Sequence, residues 1–451
     1  MIDAFAYGFE PGKDGEENAK ALQMAVEQGG TIVIDRPGIY DLSEPVYLGD
    51  DTTLFFGTGV KLRRQESKSG ETGYVFVNKG AYTRTYNENI KIIGLHLICN
   101  NVQCRGVDGG KKVIPGLRGH LSFFYMKNLE IRDFVSMDLP AQDFGIHICT
   151  FENIIVENVR IEGRKDAVHL GRGNKFVIRH GIFRTFDDPI ALNAHDYATS
   201  NPQLGWIEDG IIEDCYDLND EATVGYFCRV LAGSWSDWRE GMEVQHSDTV
   251  VCNNRLYRVM MKVDGTVYRS VTPPCHEEGI KEYDGIRWLM VQEDVIYNCG
   301  CRNVHFKDIF LQKKRRFAFS LHFDKDNYSR SYYPGSEAPV QENIIFENIY
   351  FQNEIPVLLH SRTPVDTVKL INSVMENSAI LLEDIETEGI VYPRTNILFS
   401  GTTFKGKGGC LVNCTGGQHA DVKFLGSLTE EGFTASVSGN TTVSQSDIII
   451  K

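Results

Sequence analysis

The sequence predicts an all-β solenoid, a parallel β-helix wound from one chain and closed at its N-terminal end by a helix. Three observations carry this. A short motif, Asn or Asp followed by alternating apolar residues and often a second Asn or Asp, recurs ten times between Asn89 and Phe404. The copies at Asn128, Asn153 and Lys175 lie 25 and 22 residues apart, and the wider gaps fit the same unit with loops inserted. No helical pattern separates the copies. Strict alternation buries one face of a strand, and many short strands at this period suit coils that pair with those above and below.

The elements follow in order. Glu17–Gln28 places Ala19, Leu22 and Val26 at helical spacing, with Ala25 at the edge of the stripe and Met24 off it. A solenoid needs its open end covered, and this helix suits that task. GGTIVIDRPGIYDL then reads as strand, Pro-Gly turn, strand. The repeats are NIKIIGLHL (Asn89), NLEIRDFVS (Asn128), NIIVENVRI (Asn153), KFVIRHGIF (Lys175) and DGIIEDCYD (Asp209). They continue with DTVVCNNRLYR (Asp248), NVHFKDIFL (Asn303), NIIFENIYF (Asn343), VDTVKLINS (Val365) and NILFSGTTF (Asn396). Buried Asn rows are expected at the turns, bonded to backbone groups the corner leaves unpaired. The charged, Pro-containing stretch 257–284 reads as an excursion from the coils that borders the binding cleft and favours short chains. Residues 1–65 are assigned to the cap and first coils and 66–451 to the β-helix, as one continuous domain. A leucine-rich repeat has a similar period, but its LxxLxLxxN/C consensus is missing. A β-sandwich does not repeat over more than 300 residues.

Composition narrows the function. With 46 Lys and Arg against 61 Asp and Glu the chain carries −15, which disfavours nucleic acid, anionic lipid and long polyuronides. No apolar run approaches the ~18–20 residues of a membrane span. The start has neither a basic nor an apolar leader segment. The eleven cysteines are scattered; Cys149, Cys215, Cys252, Cys299 and Cys301 sit in or beside apolar strands as small hydrophobes, and Cys299-Gly-Cys301 has no companion zinc-binding pattern. Free thiols point to a reducing, cytoplasmic compartment, although a trimmed secreted or periplasmic protein would begin the same way.

One stretch carries chemistry. Asp166 lies on one predicted coil and the pair Asp187–Asp188 on the next, 21 residues later, so the three carboxylates should share a face. Clustered like charges raise one another's pKa, and a role in proton transfer or cation binding explains why such a cluster exists. An inverting glycosidase uses two carboxyl groups roughly 6.5–9.5 Å apart, one as acid and one to activate water. Calcium also takes several hard oxygen ligands. The ordinary alternative is a pair of turn-closing aspartates beside a solvated corner.

The run from about Pro115 to Asn193 resembles the polygalacturonase-type family of glycoside hydrolases, of the pectin-lyase-like right-handed β-helix superfamily. That family carries Asn-Thr-Asp, then Gly/Gln-Asp-Asp a coil later, then Gly-His-Gly, then Arg-Ile-Lys. Asp166 falls at the first motif, Asp187–Asp188 at the second, and PIALNAH follows as in the family. The N-terminal segment from Phe5 to Leu42 is similar to the superfamily's cap. The resemblance implies a right-handed coil and an inverting mechanism, with Asp187 as general acid and Asp166 and Asp188 holding and deprotonating the water. There are departures. Arg164-Lys165 stands where the family has Asn-Thr, Phe186 precedes the acid pair, Cys228 takes the place of the histidine, and Leu289 that of the lysine after Gly285-Ile286-Arg287.

Six further residues are candidates for substrate binding. His195 closes the catalytic strand, Arg287 and Arg229 supply cations, Trp235 and Trp238 offer faces for sugar stacking, and His246 could replace the missing histidine. Each has a plain structural reading beside it, and His169, His180 and His305 read as packed or surface residues. The expectation is a glycoside hydrolase acting on a neutral or non-polygalacturonate oligosaccharide. It needs no metal or cofactor, has carbohydrate as partner with neither nucleic acid nor membrane, and leaves room for a homo-oligomer. A polysaccharide lyase or epimerase and a non-catalytic, tail- or adhesin-type β-helix are the alternatives. Because Leu289 replaces a basic residue and the chain carries −15, turnover of polygalacturonate should be negligible in a reducing-sugar assay. A rate comparable to that on any neutral glycan contradicts this.

Overall fold

In successive coils one residue turns left-handed, and the coil is built on that corner. Asn89, Asn128, Asn153, Lys175 and Asp209 have φ between 54° and 59°. A short polar side chain is what most readily accepts this conformation after glycine. In this computed structural model, which describes residues 1–70, 72–103, 113–219, 224–385 and 390–450, the corners link strands that stack in parallel. The result is a right-handed parallel β-helix with a helical cap. The Asn rows exist, but not where they are expected. Asn89, Asn128 and Asn153 are exposed, and each hydrogen-bonds its neighbour one coil away: Asn153 Nδ2 to Asn128 Oδ1 at 2.8 Å, Asn128 Nδ2 to Asn89 Oδ1 at 2.9 Å. Corner geometry, not backbone rescue, selects the residue.

Inside the coils the apolar positions form columns. Ile90, Leu129, Ile154 and Phe176 stand in register on adjacent strands and are essentially inaccessible. Gly210 leaves room for the last of these rings, since a Cβ there would lie 2.0 Å from Phe176. The cap helix spans Gly15–Val26, starting two residues before the predicted span; Asp14 accepts the Glu16 N–H at its N-terminus. Its buried face holds Ala19, Leu22, Ala25 and Val26, while Met24 is exposed, as the stripe predicts.

Residue contacts divide the chain into two compact units. The first is Met1–Ala191 with Asp209–Phe227 and Lys307–Lys313; the second is Leu192–Glu208, Cys228–Phe306 and Lys314–Lys451. In the second, the strands Cys228–Leu231, Phe317–His322, Val357–Ser361 and Ala379–Leu382 pair in parallel, stacking Val230 on Leu321, Phe319 on Leu359 and Leu359 on Ile380.

The repeat at Asp248 is a correction. It forms an antiparallel hairpin, Thr249–Cys252 with Arg255–Val259, turned by Asn253 and Asn254 at φ 49° and 57°. Two left-handed residues make the tight turn that matches strand twist, so the same Asn signal marks both a coil corner and a hairpin. The excursion is accordingly wider than 257–284. It is tied at its base where Gly233–Ser234 pairs with Asn298–Cys299. Its core includes Met242, Val250, Tyr257, Ile286 and Trp288.

No two of the ten described cysteines are joined to each other, and Cys104 lies outside the described residues. Cys149, Cys215, Cys252, Cys299 and Cys301 are buried as expected. No helix among the described residues is long and apolar enough to cross a membrane.

The corner can be tested at Asn153. Asn153→Gly should leave stability nearly unchanged, whereas Asn153→Ala should cost about 1–2 kcal/mol in urea unfolding. Equal losses for the two variants would contradict a backbone role.

Candidate active site

Two short strands follow the acidic residues. Asp166 leads into Val168–Leu170 and Asp187–Asp188 lead into Ile190–Asn193. The ladder sets their register. The Ala167 N–H bonds the Asp188 carbonyl at 3.2 Å and the Val168 N–H the Pro189 carbonyl at 3.0 Å. Asp188 therefore stacks over Asp166 and Asp187 sits one residue ahead. One carboxylate oxygen from each of the three lies within 4.8 Å of the others. Asp166 and Asp188 are buried, while the Asp187 side chain keeps 23% exposure.

The predicted trio is thus assembled, with two features that spacing alone did not show. Oxygens of the three approach within 4.8 Å, nearer than the roughly 6.5–9.5 Å between the two carboxyl groups of an inverting pair. A cation also stands among them: Lys165 Nζ is bonded to Asp187 Oδ2 and lies 3.5 Å from Asp166 Oδ1. An ammonium at that place offsets part of the mutual repulsion and occupies ground a metal ion would take. Asp166, Asp187 and Asp188 are nonetheless the residues that could ligate a hard cation.

Each carboxylate has its own support. Asp166 Oδ2 faces His169 Nδ1 at 3.0 Å. Asp188 Oδ1 accepts the Tyr226 N–H at 2.7 Å. That approach depends on Gly225, where a Cβ would fall 2.5 Å from Asp188 Oδ1 and 2.7 Å from the Asp187 backbone. The Thr185 hydroxyl donates to the Asp187 carbonyl at 2.9 Å. Gly225, Phe144 and the partner role of His169 escape sequence reading. Glycine carries no chemical signal, and His169 alternates like any strand residue.

The six expected substrate-binding residues all fall in the second unit. His195 does not point into a cleft; it is fully buried with Nε2 3.1 Å from Arg258 Nη2. Burial, then the Arg258 charge, hold its imidazole well below the usual range. Trp235 is a core residue whose indole N–H donates to the Ile296 carbonyl at 2.6 Å, so it has no face for a sugar. Trp238 is half-buried against the excursion core and donates to Ser270 Oγ at 2.8 Å. His246 is half-buried, with its pKa lowered by burial and by Arg258. Arg287 is exposed on the excursion sheet opposite Glu282.

Arg229 joins an ionic cluster. Its guanidinium is 3.6 Å from Asp196, and its charge also acts on Asp324, whose carboxylate meets His322 Nε2 at 3.2 Å. Burial pushes Asp324 up, but the His322 hydrogen bond and the charges of His322 and Arg229 outweigh it and leave its pKa below the ordinary value. A separate groove of about 310 Å³ in this unit, lined by residues including Arg239, Asp248, Arg330 and Tyr333, contains none of the predicted residues.

No protein-family profile matches the chain, and no curated protein does. Solved structures do match. The N-terminal fragment of gene product 12 of bacteriophage Phi29 superposes with a TM-score of 0.50 at 12% identity, over 99% of this chain and 71% of that one. The family 28 exopolygalacturonase of Yersinia enterocolitica gives 0.46 at 13%, over 96% and 78%. An exopolygalacturonase from Thermotoga maritima gives 0.46 at 10%, over 100% and 91%. An identity of 12% to the Phi29 fragment shows a likeness of fold alone.

The buried acid beside Arg229 has a testable signature. Burial raises Asp196 from 3.8 to about 6, against the pull of Arg229. The folded state therefore holds this proton more tightly than the unfolded chain. The stability it contributes is present below about pH 4 and lost as pH rises through about 6. Asp196→Asn should flatten that part of the stability–pH curve in urea melts. An unchanged slope would contradict the buried placement.

Proposed function

We propose that the chain is a glycoside hydrolase acting on a neutral or non-polygalacturonate oligosaccharide, with Asp166, Asp187 and Asp188 as its reacting groups. The observation that carries this reading is the convergence of three carboxylates from two adjacent coils within 4.8 Å, two of them buried. Glycosidic cleavage needs one carboxyl to protonate the departing oxygen and a carboxylate to activate water or attack directly. Asp187 takes the role of the acid at the leaving oxygen, a reading its greater exposure supports. Asp166 and Asp188, fixed by His169 and by the Tyr226 N–H, are the groups that orient and deprotonate water. Lys165 donates to Asp187 Oδ2, so the proton given to the leaving group is carried on Oδ1. Inversion follows the family resemblance, whereas a retaining pair would stand about 5–5.5 Å apart. Proton NMR of the first-formed anomer decides between them.

Lys165 favours a second reading. A polysaccharide lyase needs a basic side chain to remove the C5 proton and positive charge at the uronate. Released from Asp187 and neutral, the Lys165 amine would supply the base, and the three carboxylates it leaves would be free to hold a cation at the uronate. Ultraviolet absorbance of an unsaturated product separates elimination from hydrolysis.

For hydrolysis, Asp187→Asn should lower kcat by roughly 10²–10⁴-fold with folding intact. A nitrophenyl glycoside, whose leaving group needs little protonation, should restore its rate but not that of Asp166→Asn or Asp188→Asn. Near-wild-type turnover by Asp187→Asn on a natural glycan, or loss of activity in EDTA, contradicts the assignment.

A further inference from the structure

Behind Asp166, on the strand it introduces, lies a layer of buried rings. His169 is fully buried, and its Nδ1 stands 3.0 Å from Asp166 Oδ2. Phe144, on the preceding coil, stacks on the imidazole with centroids 3.9 Å apart and planes 14° from parallel. His147, paired in register with His169 across the ladder, presents its ring at 4.7 Å and 72°. The Arg118 N–H donates to His147 Nδ1 at 2.9 Å. The His169 ring is thereby held in plane by one neighbour and fixed in rotation by another.

We propose that His169 is the positioning residue for Asp166, donating Nδ1–H to Oδ2 so that Oδ1 alone is presented to the reacting water. The inference rests on the hydrolytic reading above and adds to it the group that orients its base. An ionised carboxylate can only accept hydrogen bonds, so the hydrogen of this contact belongs to the imidazole. One carboxylate oxygen is then held by a rigid donor while the other faces Lys165 at 3.5 Å. Catalytic groups must be held close to the productive geometry by partners whose own orientation is locked. A displacement of about 1 Å can cost on the order of 10²-fold in rate.

The test uses the full chain. His169→Phe keeps a ring against Phe144 and removes the donor; His169→Asn places an amide N–H near the Nδ1 position. On a neutral oligosaccharide, His169→Phe should lose about 10- to 100-fold in kcat with KM unchanged, and His169→Asn should recover most of that loss. The nitrophenyl glycoside should not rescue His169→Phe, because leaving-group protonation is not the step it impairs. In an Asp166→Asn background the His169→Phe substitution should have little further effect, since residues acting as one unit are not additive. Should His169→Phe fail to fold, the imidazole 15N signals of wild type still report: His169 must be the Nδ1–H tautomer, and Asp166→Asn must shift it.

Several results overturn the proposal. They are an unchanged kcat in folded His169→Phe, an equal loss in the Asp166→Asn background, a loss confined to KM, or the Nε2–H tautomer. If Asp166→Asn is inactive while His169→Phe is wild type, only the positioning role falls. If Asp166→Asn itself keeps full turnover, the hydrolytic reading falls with it.

Discussion

The left-handed corner that recurs from coil to coil is the constraint from which the rest of the structure follows. Asn89, Asn128, Asn153, Lys175 and Asp209 adopt it in turn, and each time the chain re-enters the same interior column one coil further on. Because the corners recur in register, Leu129 lies over Ile154 and Ile154 over Phe176. The apolar area buried by that stacking is the main favourable term for folding. The exposed asparagine ladder adds hydrogen bonds in water, where each is worth little net. Its chief contribution is to admit a backbone conformation that a branched side chain would resist.

The same registration assembles the site. Asp166 and Asp188 meet because the Ala167 and Val168 amides bond the carbonyls of residues 188 and 189. The ladder that holds the coils together thus fixes the distance between carboxylates to within a residue. Their coexistence then depends on local compensation, through Lys165 at Asp187, His169 at Asp166 and the Tyr226 amide at Asp188. Gly225 is part of that arrangement through what it omits, since only a residue without a side chain lets the neighbouring strand approach so closely.

The second unit handles its buried charges differently. Asp196 has an elevated pKa at the end of a hydrogen-bond chain through Asn193. The Arg258 guanidinium is itself desolvated and lowered to about 10. His195 and Trp235, which alternation and motif position mark as candidate contacts, serve here to satisfy and fill the interior. Polar residue types suited to sugar recognition are equally suited to closing a wide polar core, and only burial tells the two apart.

Much was legible in the residues alone. Period-2 alternation, a repeat in the low twenties and an amphipathic N-terminal stretch determined the solenoid and its cap, because those patterns are written by local backbone geometry. The 21-residue gap from Asp166 to Asp187 likewise determined that the acids would be neighbours, since it nearly equals one coil. Two kinds of feature needed the tertiary structure. One was the meaning of Asn-rich alternation at Asp248, where Asn253-Asn254 turns a hairpin instead of a coil, because a left-handed corner serves either. The other was everything set by contact between coils: the lysine among the carboxylates, the ring stack behind Asp166 and the burial of His195 and Trp235. Those depend on which side chains meet across the ladder, and distance along the chain carries no record of that meeting.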